Sequence, residues 1–287
     1  DAIVVKGESE KPVYLAIDDD QVTIKDGNSI WGLETGEAQD MIQKELGSKY
    51  YHVLQIGPAG ENLVRYACIL NNLKHANGRN GMGAVMGSKN LRAIAVLGSK
   101  NIEVADSEGL KAIVKDFVSY YMDNPLTRGL YEYGTNGALV NNNVAGILPT
   151  KNFINGEFDQ ADHISAEKMN ETILTKREGC YACAVRCKRR VEIDREDLNV
   201  NGRYGGPEYE TVASFGSLIE NGDLEIIAKA NELCNRYAID TISTGMSIAF
   251  ALEAKEHGYF EEYDELDASK PENILKLIEK IAKREGI

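Results

Sequence analysis

Little in this sequence suits a membrane, a secreted disulfide scaffold or a nucleic acid. None of its 287 residues belong to an apolar run approaching the roughly 20 needed to cross a bilayer. No secretory signal pattern is visible. Basic residues are scarce, 32 against 45 acidic, and the net charge of −13 argues against phosphate backbones and acidic membranes as partners. There are only five cysteines, Cys68, Cys180, Cys183, Cys187 and Cys234, an odd number with three clustered. That is not a disulfide framework, and it fits a reducing, cytoplasmic setting better. The four histidines, His52, His75, His163 and His257, show no ligand spacing. Internal repeats and low-complexity tracts are also missing.

The most specific feature present is Cys180-x2-Cys183-x3-Cys187. Thiolates bind soft metals, and three within eight residues can converge on one centre. Ferredoxin-type runs use such spacings with one further thiolate. Zinc sites more often pair two separated knuckles, or cysteines with histidines. An iron–sulfur cluster is therefore favoured, with zinc or plain buried or redox cysteines as alternatives. Cys234 is a core thiol or a fourth ligand, and Cys68 reads as a small buried hydrophobe.

The pattern predicts an α+β chain, β-rich over 1–105 and mainly helical over 106–287. Ala2–Val5, Val13–Ile17 and Val22–Ile24 predict strands in a meander. Tyr50–Ile56, Leu63–Leu70 and Arg92–Leu97 are further strand candidates. Thr35–Leu46 has helical spacing and stops at Gly47. Between Gly78 and Asn90 lie four glycines, Gly78, Gly81, Gly83 and Gly87, too many for a stable helix or strand by propensity. There is no Walker A pattern, and Met86 stands where a dinucleotide fingerprint needs its third glycine. The stretch reads either as a tight turn or as a cofactor cradle with Arg79 and Lys89 as phosphate partners.

Further on, Asp106 or Ser107 caps a helix with Leu110, Ile113, Val114, Phe117 and Val118 on one face. Gly134 to Gly156 reads as loop with short helical pieces, and Ser165–Leu174 as a helix. Lys188-Arg189-Arg190 is either a solvated face or a set of cations beside an anionic cluster. Pro207 suits a first helical position, with Glu208 and Glu210 in its first turns. Helix structure alone explains both carboxylates, and a catalytic role for Glu210 is the sharper alternative. Thr211–Ile219, Asp223–Tyr237 and Asp240–His257 predict three more helices. The sequence opens in a strand-like pattern and closes in an amphipathic one, from Pro271 to Ile287, so a piece of a longer protein is expected.

Asp1–Gly7, Ile56–Val64, Gly78–Val96, Cys180–Cys187, Gly206–Glu210 and Asp223–Gly245, in this order, resemble segments of the tungsten-containing aldehyde:ferredoxin oxidoreductase family. The resemblance implies a tungsten (or molybdenum) held by two pterins, a [4Fe–4S] cluster nearby, and a magnesium ion as a further candidate. It implies a β-rich base for the pterins, covered by helical domains. Arg79, Asn80, Gly81, Gly83 and Lys89 would touch pterin and phosphate, with Asn235 and Asp240 in a pterin-contact segment. Cys180, Cys183 and Cys187 would bind three irons, the fourth cysteine lying beyond Ile287. Glu210 would stand near the tungsten and move a proton. The activity implied is oxidation of an aldehyde to a carboxylic acid, with ferredoxin or a similar carrier taking the electrons and a homodimer as a candidate assembly. Two departures stand out. Asn235 replaces the aspartate that usually opens the pterin-contact segment. Lys229 and Glu232 occupy places where some members carry a Glu and a His for a subunit-bridging metal, so no such site is expected. A reductase of an aromatic acyl thioester, a zinc-stapled module and an electron-transfer subunit are the alternatives. The piece alone is expected to hold cofactor weakly and to be inactive.

Overall fold

The computed structural model describes residues 2–267, 269–270 and 272–286. The chain divides into two compact units, Asp1–Ser99 with Ala230–Ile287, and Lys100–Lys229.

The first unit is built on a six-stranded sheet. β1 (Val13–Asp18) and β2 (Gln21–Asp26) pair antiparallel. β3 (His52–Gln55), β4 (Ile69–Asn71) and β5 (His75–Asn77) form an antiparallel run, and β6 (Leu91–Leu97) inserts between β1 and β3, giving the order β2-β1-β6-β3-β4-β5. β6 is parallel to β1 and antiparallel to β3; of the meander expected over residues 2–24 only the β1–β2 pair forms, and β6 takes the other side of β1. The reason is burial: Leu91-Arg92-Ala93-Ile94-Ala95 is covered on both faces and takes the centre. One face carries Tyr14, Ala16, Ala93 and Ala95 against Ala38 and Ile42 of α1 (Thr35–Glu45). The other carries Leu15, Leu54 and Ile94 against Ile56 and Met86.

Two expected strands are absent. Ala2–Val5 pairs with nothing among the described residues and stays exposed, since no sheet edge receives it. Leu63–Leu70 is broken at Leu63, whose backbone is left-handed (φ 57°) as the chain wraps off α2 (Pro58–Glu61); only Ile69 and Leu70 join β4. The glycine-rich stretch does make a helix, α3 (Met82–Gly87), against its propensity. Tertiary contact compensates. A Cβ on Gly83 would lie 2.5 Å from the Cys68 carbonyl oxygen, and one on Gly87 only 1.9 Å from that of Gly60. Backbone packs on backbone there, and only glycine permits it.

The second unit is mainly helical: α4 (Ser107–Tyr120), α5 (Pro125–Tyr133), α6 (Leu139–Val144), α7 (Ala166–Thr172) and α8 (Tyr209–Phe215). α4 starts as expected, with the Asp106 side chain accepting from Gly109 N–H at 2.8 Å. Its apolar stripe, Leu110, Ile113, Val114, Phe117 and Val118, is however exposed. Sequence reasoning missed the hairpin of β7 (Leu174–Glu178) and β8 (Lys188–Val191) and the small pair β9 (Ile193–Asp194) and β10 (Asn199–Val200).

The division between the units falls within α9 (Leu224–Tyr237). α10 (Thr241–Glu256) and α11 (Glu272–Lys283) complete the first unit. α11 realises most of the amphipathic pattern expected over 271–287; Pro271 and Ile287 lie outside the described residues.

Candidate functional site

In the second unit the three clustered cysteines occupy the turn of the β7–β8 hairpin, whose strands pair up to Glu178 and Lys188. Cys183 N–H donates to the Cys180 carbonyl at 3.1 Å. Ala182 (φ 53°) and Arg186 (φ 54°), each directly before a cysteine, are left-handed without being glycine. Such backbone costs about 1 kcal/mol or more per residue and persists where the surroundings impose it. Cys180 and Cys183 are exposed, and Cys187 is half-buried. Burial, then the nearby Glu208 carboxylate, pushes the Cys187 thiol up; Lys188 pulls it down, and the other two cysteines lie near enough to add to the rise. No three described His, Cys, Asp or Glu residues are grouped to hold a single metal ion. In a four-iron cluster each thiolate binds a different iron, so a single-ion grouping is not required. Three thiols on one loop with turned backbone N–H groups are a donor set of the kind such a cluster uses.

The basic triplet next to this loop is split three ways. Arg190 pairs with Glu192 at the surface. Lys188 Nζ lies 3.2 Å from Glu208 Oε1, and Glu208 Oε2 accepts from Thr135 Oγ1 at 2.6 Å. Arg189 is buried, and its guanidinium donates to five main-chain carbonyls: Leu130, Tyr131, Glu132, Arg186 and Cys187, at 2.8–3.3 Å. Burial and neighbouring Arg177 lower its pKa, and Cys187 and Glu208 raise it. Neither Arg189 nor Glu208 was a sequence candidate. The signal was the triplet itself, which the sequence leaves open as a solvated face or as cations beside an anionic cluster. Glu210 is exposed in the first turn of α8.

In the first unit, Arg79 and Asp240 meet. Arg79 Nε lies 3.4 Å from Asp240 Oδ2. The same oxygen accepts from Ser243 N–H (2.9 Å) and Ser243 Oγ (2.6 Å), capping α10. Asp240 is nearly buried whereas the Arg79 side chain is 57% exposed, so the guanidinium is held at one point and open elsewhere. Asn80, beside it, has a left-handed backbone (φ 78°). Gly81 is also left-handed, and a Cβ there would meet the Arg65 carbonyl oxygen at 2.1 Å. Gly81 and Gly83 thus pack on the chain at 65–68. Lys89 is drawn elsewhere: its Nζ donates to the Gly7 carbonyl at 2.6 Å.

Asn235 is buried, and its carbonyl accepts from Thr35 Oγ1 at 2.8 Å. The Thr35 carbonyl accepts from Gln55 Nε2 (2.8 Å), and Gln55 Oε1 accepts from Arg92 (3.1 Å). Arg92 is fully buried, with Nε 2.8 Å from Glu61 Oε1. That contact is a charge contact rather than an aligned hydrogen bond, because Nε–H donates to the Ile30 carbonyl at 3.2 Å. Burial pulls Arg92 down to about 10 and pushes Glu61 up. This buried polar chain fixes the segment that leads to Asp240. A lone arginine inside Leu91–Leu97 was the signal for it, since a charge amid a buried strand requires a partner.

The comparisons with known proteins agree with one another. Residues 1–98 match the profile described as aldehyde ferredoxin oxidoreductase, N-terminal domain, and residues 112–287 match aldehyde ferredoxin oxidoreductase, domains 2 & 3. A tungsten-containing aldehyde ferredoxin oxidoreductase of Pyrococcus furiosus is 43% identical over 294 residues, covering 100% of this chain and 47% of the relative. That of Thermococcus kodakarensis is also 43% identical, covering 100% and 48%. An aliphatic sulfonate oxidoreductase, WOR-like subunit, of Pyrococcus furiosus is 30% identical, covering 100% and 48%. The chain therefore spans about half the length of the curated relatives it matches. Among solved structures, the active site complex BamBC of benzoyl coenzyme A reductase in complex with 1,5-dienoyl-CoA superposes with a TM-score of 0.78 at 26% identity, over 98% of this chain and 44% of that one.

Proposed function

Because this chain belongs to the aldehyde ferredoxin oxidoreductase family, we propose that it works within a tungsten (or molybdenum) pterin oxidoreductase that converts an aldehyde to a carboxylic acid and passes the electrons through a [4Fe–4S] cluster to ferredoxin or a similar carrier. The observation that carries this reading is the pairing of Arg79 with Asp240. It joins the glycine-rich stretch to the Asn235–Asp240 segment, the two places where pterin contact was expected from sequence. When bound, the pterin-held metal would supply two-electron oxidation and the cluster a one-electron exit.

The residues present suit those groups. Arg79 keeps most of its guanidinium open for a phosphate oxygen while Asp240 fixes its reach. Asn80, next in the chain, offers a neutral hydrogen-bonding amide. The Asn235 amide accepts or donates without charge, and its backbone is held by Thr35. Gly81 and Gly83 support the cradle from behind by letting its backbone lie against residues 65–68. Lys89 ties the chain at Gly7, so its part is to hold that segment rather than a phosphate. Cys180, Cys183 and Cys187 serve as thiolate ligands for three irons. Glu210, exposed in the first turn of α8, is the carboxylate assigned to accept or return the proton. The balance is aldehyde plus water giving acid, two protons and two electrons.

A second reading is reduction of an aromatic acyl thioester, favoured by the likeness to the benzoyl coenzyme A reductase complex. One experiment separates the readings. The full-length protein, purified without oxygen, is analysed for metals and assayed for aldehyde-dependent reduction of a viologen dye. Tungsten or molybdenum with iron, and dye reduction, are expected. Metal content as expected but turnover only with an aryl thioester selects the second reading. Zinc without iron, tungsten or molybdenum refutes both.

A further inference from the structure

We infer that Arg189 is a positioning residue for the cysteine loop, and that its buried positive charge raises the reduction potential of the cluster the loop holds. The inference rests on the cluster reading given above. Its own evidence is geometric. The guanidinium donates to the last two carbonyls before β8, Arg186 (3.3 Å) and Cys187 (3.2 Å). It also donates to three consecutive carbonyls at the C-terminal end of α5, those of Leu130 (3.2 Å), Tyr131 (2.8 Å) and Glu132 (3.2 Å). One side chain thereby fastens the end of the loop to a helix terminus. The tie is tight. A Cβ on Gly134 would lie 2.9 Å from both Arg189 Nε and the Cys187 carbonyl oxygen, so the helix ends in a glycine where the clamp passes.

The electrostatics follow from the same contacts. All five acceptors are carbonyl dipoles, which orient toward a cation without cancelling its unit charge. Glu208, the carboxylate that acts on Arg189, is already paired with Lys188. Arg177, which stacks on the Tyr131 ring, adds a second cation to the same region. Neutralising a solvated side chain there would not require an arginine buried against this loop; a full positive charge in low dielectric favours the more negative state of whatever the thiolates bind. For a four-iron cluster that is the reduced state, reached by one electron. The charge thus makes the cluster a better acceptor, while the fork holds the end of the loop at the left-handed Arg186.

The test uses the full-length protein, purified without oxygen, with iron counted for each sample. The fraction of reduced cluster is read by electron paramagnetic resonance with redox mediators, at the ambient potential where wild type is half reduced. In Arg189→Gln the ratio of reduced to oxidised cluster is expected to fall about tenfold, a shift of about 59 mV for a one-electron couple. Arg189→Lys retains the charge but not the fork, so its ratio stays within about twofold of wild type while a chelator strips its iron about fivefold faster. A fully iron-loaded Arg189→Gln with an unmoved ratio overturns the inference, as does Arg189→Lys shifting as far as Arg189→Gln. If Arg189→Gln does not fold, the stripping rate of Arg189→Lys decides: a wild-type rate overturns the positioning role, and a faster one supports it. Wild type without iron overturns the cluster reading and this inference together, whereas an iron-loaded wild type with unmoved variants overturns only this one.

Discussion

Gly87→Ala is a substitution for which two physical effects predict opposite signs. Gly87 closes α3, and alanine is the better helix former by about 1 kcal/mol, so propensity alone predicts a gain. The structure predicts a loss. The new Cβ would lie 1.9 Å from the Gly60 carbonyl oxygen, about 1.5 Å short of ordinary contact, and 2.7 Å from its carbon. Both are backbone atoms at the end of α2, so no side chain can rotate away. α3 must retreat, opening its packing against Ile56 and Leu91. Overpacking of this kind costs about 1–3 kcal/mol, and the absence of any flexible neighbour puts this site at the upper end. The net expectation is a loss of about 2 kcal/mol. The chain's one tryptophan, Trp31, lies in the same unit and reports its unfolding by fluorescence in urea. Gly129→Ala in α5 is the control: nothing lies within 4 Å of the added Cβ, and a gain of about 0.5–1 kcal/mol is expected from circular dichroism. A neutral or stabilising Gly87→Ala refutes the backbone-contact argument, because propensity would then have won.

Asp240→Ala removes the α10 cap and the Arg79 contact and is expected to cost about 1–2 kcal/mol in a urea titration, while Asp240→Asn, which keeps a capping oxygen, costs less than half of that. Ala238 has a left-handed backbone (φ 54°), so Ala238→Gly is expected to stabilise the chain by about 0.5–1 kcal/mol in the same assay; a loss would show the strain is not there. Thiol labelling of the metal-free native chain should separate the cysteines. Cys180 and Cys183 react first. Cys187, whose thiol burial and Glu208 push upward, gains thiolate only as the pH rises above the ordinary range of about 8.5. Cys68 and Cys234, fully buried and pushed far up by desolvation, react only on unfolding. Early labelling of either buried thiol, read by peptide mass spectrometry, contradicts the packing described.

What the sequence made legible was what depends on neighbours in the chain. The Asp106 cap, α1 with its stop at Gly47, and α9 and α10 all follow from local spacing. So does the placing of three cysteines on one loop, which needs only their separation. The rest depends on partners distant in sequence. Ala2–Val5 has strand-forming residues, but pairing requires an edge to receive it, and none among the described residues does. α3 forms against propensity because Gly60 and Cys68 lie against it, which no local pattern records. β6 takes the centre of the sheet only when β1 and β3 are both in place. In the site the same division holds. Arg79 and Asp240 were candidates from separate motifs, and the fold supplies their contact. Arg189 looked identical to its two basic neighbours, and its difference lies in the carbonyls of α5 and of the loop end that surround it.

The β7–β8 hairpin gives the cysteine loop the outline of a transplantable cassette: two short strands with all three sulfurs between them. A graft of residues 174–191 onto another scaffold would carry those sulfurs but not the helix end on which Arg189 closes. In the new host the guanidinium would turn to solvent and the two left-handed residues would relax. A designer who wants this cysteine loop elsewhere must bring α5 with it, or build three converging carbonyls at the receiving surface.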